Sequence, residues 1–505
     1  MILRGAVGGA TRVAATFFVL SAVVAQLHAQ IPDTEYGQRR AAIAAAIRNG
    51  IVIVLGSPEP GQDYIAFNQN SSFTYMTGFN EPDAALVMVV KSGAIVGAPM
   101  LFVQPSDPGR EVWTGHRLGV PNVRAALGLD GRRAASLDAS VDSLMSADPA
   151  AQLLMVGSFD SSDRFLSPED QWTAAVLKRH PGATVKSATA IVDRLREVKS
   201  PAELDFIRRA VNITVGAEKD AMRLIDPGIN EFEVQALIEY DFRRNGADRP
   251  SFSSIVGSGP NSTTLHYNAD DRYIETNDMI VIDIGASFRG YAADVTRSVP
   301  ASGIFSPIQR DIYSAVRAAQ AAAEKAGAVN GSGGAMSAAA DASLDQSLSK
   351  LGLIDKPGAT YDCDAASARQ CSQRSLFYMH GLGHGIGLDV HDPGASSAGG
   401  TLVPGSAFTI EPGVYVRANL LEIIPKTPRN QAIIVRIGRA VRKYADIGVR
   451  IEDDYIVTPG GIEWISRAPR EISEIEAMMR EPWTGPSPRD RATVEAYRST
   501  VHHEP

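Results

Sequence analysis

Two aspartates, Asp283 and Asp294, stand eleven positions apart beside apolar runs of the sequence. Residues 279–284 form an otherwise apolar strand, in which an unpaired buried charge would cost several kcal/mol. If a hairpin is centred between Phe288 and Arg289, the two carboxylates lie directly opposite each other, with Cβ atoms about 4.5–5.5 Å apart. Facing carboxylates repel, so the pair predicts a shared proton or a bound cation, unless one of them points to solvent.

Three of the nine histidines, His380, His384 and His391, lie close together in the glycine-rich residues 379–392. This segment is too rich in glycine for a stable helix, so it does not match the two-histidine helix of H-E-x-x-H zinc proteases. The glycines allow a close backbone approach around a bound group. A lone histidine is more often structural, but three on one such loop favour a functional site.

Two glutamates, Glu411 and Glu452, interrupt apolar strands later in the chain. Strand alternation in residues 449–455 places Arg450 and Glu452 on one face. A charged strand face of this kind is typical of a site lining. Taken alone, each glutamate would more often be a solvated strand residue than a ligand.

The sequence near position 200 predicts the start of a long helix, ahead of the segments that carry these residues. Ser200 can cap the helix, Pro201 suits its first turn and Glu203 completes a capping box. We therefore place a domain boundary at about residue 195. Hydrophobic spacing predicts further helices at 39–48, 232–242, 308–328 and 335–351, and strands at 51–55 and 86–90.

The predicted fold class is α+β, with two domains. Residues 30–195 form a small α/β domain, residues 196–470 a larger mixed domain and residues 471–505 a polar tail. With 49 basic and 57 acidic residues the net charge is −8, and basic residues are scattered over most of the chain. We therefore expect no nucleic-acid partner.

Residues 1–29 read as a secretory signal peptide, cleaved after Ala25 or Ala29. The apolar run at 13–25 is shorter than the ~20 residues that span a bilayer, which disfavours the alternative of a membrane anchor. We expect a periplasmic or secreted protein without a membrane partner. The two cysteines, Cys363 and Cys371, could pair in that compartment or remain free thiols, and the sequence leaves both open.

Five of these residues together resemble the metal ligands of the pita-bread metallopeptidases. The signature at 380–392 is similar to the aminopeptidase P and prolidase branch, and residues 69–79 and 111–115 resemble its leading domain. The resemblance implies a C-terminal pita-bread catalytic domain preceded by a smaller, creatinase-like α/β domain. The residues that match the ligands are Asp283, Asp294, His384, Glu411 and Glu452.

The resemblance also implies two divalent cations per subunit, typically Mn²⁺, and a metal-bridging hydroxide that attacks the peptide carbonyl. Glu411 would take the proton of the water. His266 and His391 match positions that bind substrate and stabilise the oxyanion, and His380 matches a substrate-pocket histidine. Arg450 would orient a ligand carboxylate.

The implied activity is release of the N-terminal residue from peptides with proline in second position. A dipeptide-restricted prolidase is the first alternative. A non-catalytic peptide-binding protein on the same fold is the second. Family members usually form dimers or tetramers, so a homo-oligomer is expected.

Several departures from the family pattern stand out. Asn68 and Ser72 occupy positions where the family commonly has Arg and Asp. Glu411 and Glu452 are 41 positions apart, and the extra stretch carries basic residues from 426 to 443. Its helical apolar spacing predicts a surface helix, and the alternative is a basic rim of the cleft that selects acidic peptides. A second addition, residues 361–374, contains both cysteines and would brace the metal loop if they are bonded.

Overall fold

The computed structural model describes residues 31–62, 64–157, 166–367, 369–394 and 400–485. The predicted signal peptide and residues 486–505 of the predicted tail lie outside these ranges. Within them, no helix combines the length and apolar character needed to cross a membrane. The helices are α1 Asp33–Ile47, α2 Ser71–Thr77, α3 Pro108–Thr114, α4 Val123–Leu127, α5 Leu137–Ala147, α6 Pro168–Arg179, α7 Thr189–Arg196, α8 Pro201–Leu224, α9 Glu231–Arg244, α10 Pro307–Ala326, α11 Gly333–Leu351, α12 Leu420–Ile423, α13 Pro428–Lys443 and α14 Ile472–Met479.

The strands alternate with these helices in the first part of the chain and cluster in short runs later. They are β1 Gly50–Leu55, β2 Ala85–Lys91, β3 Ala94–Ile95, β4 Met100–Val103, β5 Asp130–Arg133, β6 Leu153–Val156, β7 Val185–Ser187, β8 Arg249–Pro250, β9 Ile255–Ser258, β10 Met279–Ile284, β11 Ala286–Phe288, β12 Tyr291–Ala292, β13 Val295–Pro300, β14 Thr360–Asp364, β15 Arg369–Ser372, β16 Ala407–Ile410, β17 Gly413–Val416, β18 Ile447–Arg450, β19 Asp453–Thr458 and β20 Gly461–Trp464.

A seven-stranded mixed sheet organises the first part of the chain. Its order is β5-β4-β2-β1-β6-β7, with β3 paired to β2. Central β1 runs antiparallel to β2 and parallel to β6. Val52 and Val54 pack into one apolar cluster, whereas Ile51 and Ile53 pack into another. Burial of both faces explains why this strand is continuously apolar.

Helix α8 begins at Pro201, as the capping signals predict. The Ser200 hydroxyl accepts a hydrogen bond from the Glu203 N–H, and the Glu203 carboxylate accepts one from the Ser200 N–H. The helix packs against α9 and against β11 and β12. It also contacts β10, which contains Asp283, and β13, which follows Asp294.

The second part of the chain contains several small antiparallel sheets that share one core. Strand β10 lies between β13 and β9, β19 lies between β16 and β20, and β17 pairs with β18. An isolated bridge between Thr296 and Glu452 links two of these groups. Helices α10 and α11 pack together and contribute to the same core. The final helix, α14, lies within the segment assigned to a polar tail, yet its Ile475 is fully buried.

The hairpin register differs from the expected one. Asp283 pairs with Thr296, not with Asp294. The turn is at Arg289 and Gly290, whose φ angles are 54° and 82°. A two-residue hairpin turn with positive φ at both central positions matches the strand twist, and glycine adopts it without a Cβ penalty. The register thus moves by two residues, and Asp294 lies diagonal to Asp283 on the same side.

Candidate metal centre

All nine residues predicted for the site line one cavity of about 610 Å³. The strand ends position the acids: Asp283 lies in β10, Asp294 precedes β13, Glu411 follows β16 and Glu452 lies between β18 and β19. The glycine-rich loop supplies histidines, and the segment after β9 supplies one more. The remaining residues of the nine are His266, His380, His384, His391 and Arg450.

His384 faces three of the four acids. Its Nε2 lies 3.5 Å from Asp294 Oδ2, 3.5 Å from Glu411 Oε1 and 3.9 Å from Glu452 Oε1. Its Nδ1 lies 3.0 Å from the carbonyl oxygen of Gly385. Because the Nδ1–H donates to this carbonyl, the Nε2 lone pair points toward the carboxylates, as in a metal-ligating histidine.

Among the residues that line this cavity, three buried carboxylate oxygens have no hydrogen-bond partner: Asp283 Oδ1, Asp294 Oδ1 and Glu452 Oε1. Unpartnered buried acceptors are costly, so their convergence calls for a positive ligand. One ligand atom each from Asp294, His384 and Glu452 all lie within 4.8 Å of one another. The donor set therefore fits a divalent cation.

Burial and mutual repulsion control the protonation of these groups. Burial and the nearby Glu452 carboxylate raise the pKa of Asp294 and of Glu411 well above the usual range. Burial, then the charge of Asp283, raises the pKa of Glu452 to about 8. Burial lowers the pKa of His384 to about 4, so its imidazole is neutral near pH 7. A bound cation would favour the ionised carboxylates instead.

The positive charge of Arg450 compensates part of the negative charge of these carboxylates. It donates to Asp283 Oδ2, and its Nη1 donates to the Tyr415 hydroxyl at 2.9 Å. Its Nε donates to Thr296 Oγ1 at 3.2 Å, and the Thr296 hydroxyl in turn donates to Glu452 Oε2 at 2.7 Å. The guanidinium thus orients one candidate ligand, Asp283, directly and another, Glu452, through Thr296.

Tyr415 and Thr296 are functional neighbours that the sequence analysis missed. Tyr415 lies in an apolar strand, and nothing in its sequence context separates it from a core residue. Thr296 could have been found from the correct hairpin register, because it is the partner of Asp283 across the strands. Both contacts join segments that are distant in sequence.

The other histidines lie around the same acids. His380 Nε2 accepts from the Tyr415 hydroxyl at 2.8 Å, and its Nδ1 lies 3.6 Å from Glu411 Oε2. Burial lowers the pKa of His380 to about 4. The rings of His384 and His391 are 4.2 Å apart between centroids. The loop therefore places one candidate ligand between two candidate substrate-binding groups.

One glycine of this loop allows close approach to a neighbouring strand. A Cβ at Gly383 would lie 2.0 Å from the carbonyl oxygen of Thr409 in β16. The Thr409 N–H donates to the carbonyl oxygen of His384 at 2.9 Å. The backbone pairing therefore holds His384 against the strand that ends at Glu411.

The first part of the chain contacts this loop through an ion-pair cluster that the sequence analysis did not identify. Arg196 pairs with Asp392 and, at 2.6 Å, with Asp389. Lys199 Nζ lies 2.9 Å from Asp392 Oδ2. Ser72, one of the departures from the family pattern, accepts a hydrogen bond from Arg196 at 3.3 Å. The cluster joins the two parts of the chain next to His391.

The extra basic stretch forms helix α13, as its apolar spacing predicts. Arg436 pairs with Asp355 at 2.6 Å, and Lys443 with Asp311 at 3.2 Å. Neither cation is among the residues that line the 610 Å³ cavity. The surface-helix interpretation is therefore favoured over a basic rim of the cleft.

Comparison with known proteins agrees with this geometry. A family model described as metallopeptidase family M24 matches residues 205–459 of the 505 residues. The chain belongs to metallopeptidase family M24. A second model, described as the N-terminal domain of aminopeptidase P, matches residues 36–153 of this M24 peptidase.

Individual relatives cover nearly the whole M24 peptidase. An Xaa-Pro aminopeptidase of Haemophilus influenzae is 31% identical over 89% of this chain and 98% of that relative. The human Xaa-Pro dipeptidase is 29% identical over 87% of this chain and 92% of that relative. A solved structure of Zn-substituted Escherichia coli aminopeptidase P in complex with product has a TM-score of 0.73 and 29% identity, over 89% of this chain and 98% of that chain.

These findings confirm the predicted fold, a pita-bread catalytic domain preceded by a smaller α/β domain. They also confirm the resemblance to aminopeptidase P. The M24 peptidase is a metal-dependent hydrolase, which disfavours the alternative of a non-catalytic binding protein.

Proposed function

We propose that this M24 peptidase releases the N-terminal residue from peptides that have proline in second position. The observation that carries the proposal is the convergence of four acids and His384 with His266, His380 and His391 in one cavity. The Xaa-Pro aminopeptidase relative, which the chain covers almost completely, supplies the substrate class.

The proposed cofactor is a pair of Mn²⁺ ions. Oxygen-rich ligation suits a hard or borderline cation, and the three unpartnered buried oxygens support the assignment. When bound, two such ions lower the pKa of a shared water and polarise a peptide carbonyl. The residues that would hold them are Asp283, Asp294, His384, Glu411 and Glu452.

The side chains around the ligands have separate proposed roles. The Glu411 carboxylate would accept the proton of the attacking water and deliver it to the prolyl nitrogen as the peptide bond breaks. His391 and His266 would donate hydrogen bonds to the oxyanion. Arg450 holds Asp283 in place through its guanidinium, and His380 would contact the substrate from the other side of Glu411.

Proline specificity has a physical basis. An Xaa-Pro bond has no N–H and its ring restricts φ, so a cleft that pairs with the substrate backbone loses a hydrogen bond there. Phe252, Leu265 and Val390 add apolar surface to the polar cavity. We propose that this surface receives the proline ring.

The second candidate activity is that of an Xaa-Pro dipeptidase. The human dipeptidase relative, of which the chain covers 92%, supports it. The two activities differ in whether the cleft admits a chain beyond the proline. We further propose export after removal of residues 1–29 and assembly into a dimer or tetramer.

The proposed function is tested with two substrates, a dipeptide Xaa-Pro and a tetrapeptide Xaa-Pro-Yaa-Zaa. The mature protein is assayed after metal removal and again with added Mn²⁺. Metal-dependent release of the first residue from the tetrapeptide is expected. Cleavage of the dipeptide alone would make the protein a dipeptidase. Cleavage of neither by metal-loaded protein would refute both activities.

A further inference from the structure

Two segments are additions to the family pattern: residues 361–374 and helix α13. They pack against each other. Strands β14 and β15 form a hairpin in which Tyr361 pairs with Cys371. The Cys363–Cys371 disulfide closes this hairpin. We name the hairpin and α13 together the clasp.

Asn430 of α13 joins the two parts of the clasp. It is fully buried, its Nδ2 donates to the carbonyl oxygen of Asp362 at 2.8 Å, and its Oδ1 accepts from the Asp362 N–H at 3.0 Å. The Thr427 hydroxyl donates to Asp362 Oδ2 at 2.6 Å. The side-chain amide therefore pairs with β14 as the backbone of a neighbouring strand would.

A second connection reaches the residues that follow the hairpin. Arg436 of α13 binds both oxygens of Asp355, at 2.6 Å and 2.7 Å. Asp355 Oδ2 also accepts from Gln373 Nε2 at 2.9 Å, and Gln373 Oε1 accepts from the Asp355 N–H at 2.8 Å. Gln373 is buried and begins the short 3₁₀ helix Gln373–Leu376. Helix α13 thus contacts β14 directly and, through Asp355, the residue that follows β15.

The chain then leads directly to the candidate substrate pocket. His380 lies nine positions after Cys371. Between them, the carbonyl oxygen of Phe377 accepts from the Tyr415 N–H at 2.9 Å. The Tyr415 hydroxyl donates to His380 Nε2 at 2.8 Å. The clasp therefore fixes the beginning of residues 373–380, and β17 fixes their end.

We propose that the clasp is a positioning element that holds His380 in the substrate-binding orientation. The candidate ligand side chains lie in β10, directly after β16 and in other segments outside the clasp, so loss of the clasp acts on peptide binding rather than on metal binding. The inference rests on the proposed function, because the pocket role of His380 belongs to it. Loosening the clasp lets His380 leave the Tyr415 hydroxyl.

Three variants open the clasp independently: the double variant Cys363→Ser/Cys371→Ser, Asn430→Ala and Arg436→Gln. If one of them fails to fold, the other two still test the proposal. Arg439→Gln is the matched control, because Arg439 is an exposed cation on the same helix. All are compared with the wild-type protein in the Mn²⁺-loaded form.

We expect KM for Xaa-Pro-Yaa-Zaa to rise roughly 3- to 10-fold in each clasp variant, with kcat and metal content unchanged. Amide hydrogen exchange of residues 373–380 should accelerate in the same variants and not in Arg439→Gln. Wild-type KM, or unchanged exchange in residues 373–380, would overturn the proposal. A wild-type protein that cleaves neither peptide refutes the proposed function instead, and the exchange rates still decide whether the clasp holds His380.

Discussion

The guanidinium of Arg450 donates a hydrogen bond to the carboxylate of Asp283 in the buried wall of the cavity. Both residues are almost fully buried, with 5% of the surface of Arg450 and 6% of that of Asp283 exposed. Coulombic attraction therefore acts with little screening by solvent, and removal of either partner leaves a charge without compensation. The Oδ1 atom of Asp283 has no hydrogen-bond partner and is free for a cation.

Replacing Arg450 with Gln should weaken metal binding and activity by about 10- to 100-fold, the range typical for a residue that orients a metal ligand. Arg450→Lys should restore little of the metal affinity and activity, because an ammonium cannot bind Asp283 and Tyr415 in the fork geometry of a guanidinium. Titration of the metal-free protein with Mn²⁺ measures the affinity. Wild-type affinity in Arg450→Gln would contradict the assigned role.

Replacing Glu411 with Gln should lower kcat for Xaa-Pro hydrolysis by about 10²- to 10⁴-fold, because the proposed proton acceptor is lost. Glu463→Gln is a suitable control. Its carboxylate pairs with Arg208 at 2.6 Å, away from the cavity. Metal content must be measured in both variants, since a Glu411→Gln protein without metal would not test proton transfer. A loaded variant with unchanged kcat would exclude Glu411 as the acceptor.

The metal-free protein should lose stability as the pH rises from 6.5 to 8. Folding raises the pKa of Glu452 from 4.5 to about 8, so the native state binds more protons than the unfolded state in this window and the free energy of unfolding falls. The histidines act in the opposite sense and mostly at lower pH. Folding moves the pKa of His384 from 6.5 to about 4, so most of its effect lies below pH 6.5 and the remainder ends within about one pH unit above that value.

Urea denaturation at pH 6.5 and pH 8, with chelator and then with Mn²⁺, measures this dependence. The loaded protein should show a weaker decrease, because the cation keeps the carboxylates ionised in the native state. Glu452→Gln should flatten the decrease in the metal-free protein. Equal stability of the metal-free wild type at both pH values would show that these carboxyl groups are already ionised at pH 6.5.

Gly383→Ala should disrupt the metal loop. Its new Cβ would lie 2.0 Å from the carbonyl oxygen of Thr409, which belongs to the backbone and cannot move aside cheaply. We expect a loss of about 1–3 kcal/mol of stability, as for other overpacked positions, and reduced metal affinity. Gly381→Ala is the matched control for stability, since no atom lies within 4 Å of its Cβ position. Thermal unfolding of the two variants separates them.

Much of the candidate site could be predicted from sequence, because its residues interrupt strongly patterned segments. Asp283 and Glu411 lie at the ends of apolar strands, and the three clustered histidines lie in a glycine-rich loop. The start of α8 was equally local, since Ser200 and Glu203 satisfy each other within one turn. Hydrophobic periodicity and helix capping depend only on residues that are close in the sequence, so they can be recognised without the tertiary structure.

Other features depended on contacts between distant segments. Because Gly290 lies at the turn, Thr296 rather than Asp294 is opposite Asp283. The register predicted from sequence was therefore wrong by two residues, and it did not reveal the hydrogen bond from Thr296 to Glu452. Tyr415 joins Arg450 to His380 from a strand that reads as ordinary core.

The sequence by itself determined the candidate metal ligands, because these polar residues interrupt apolar strands or lie in a glycine-rich loop. The tertiary structure alone decided which of them meet, and that Asn430 would pair with Asp362, 68 positions away. A long-range hydrogen bond leaves no pattern in the neighbouring residues. It exists only once packing brings both segments to one place.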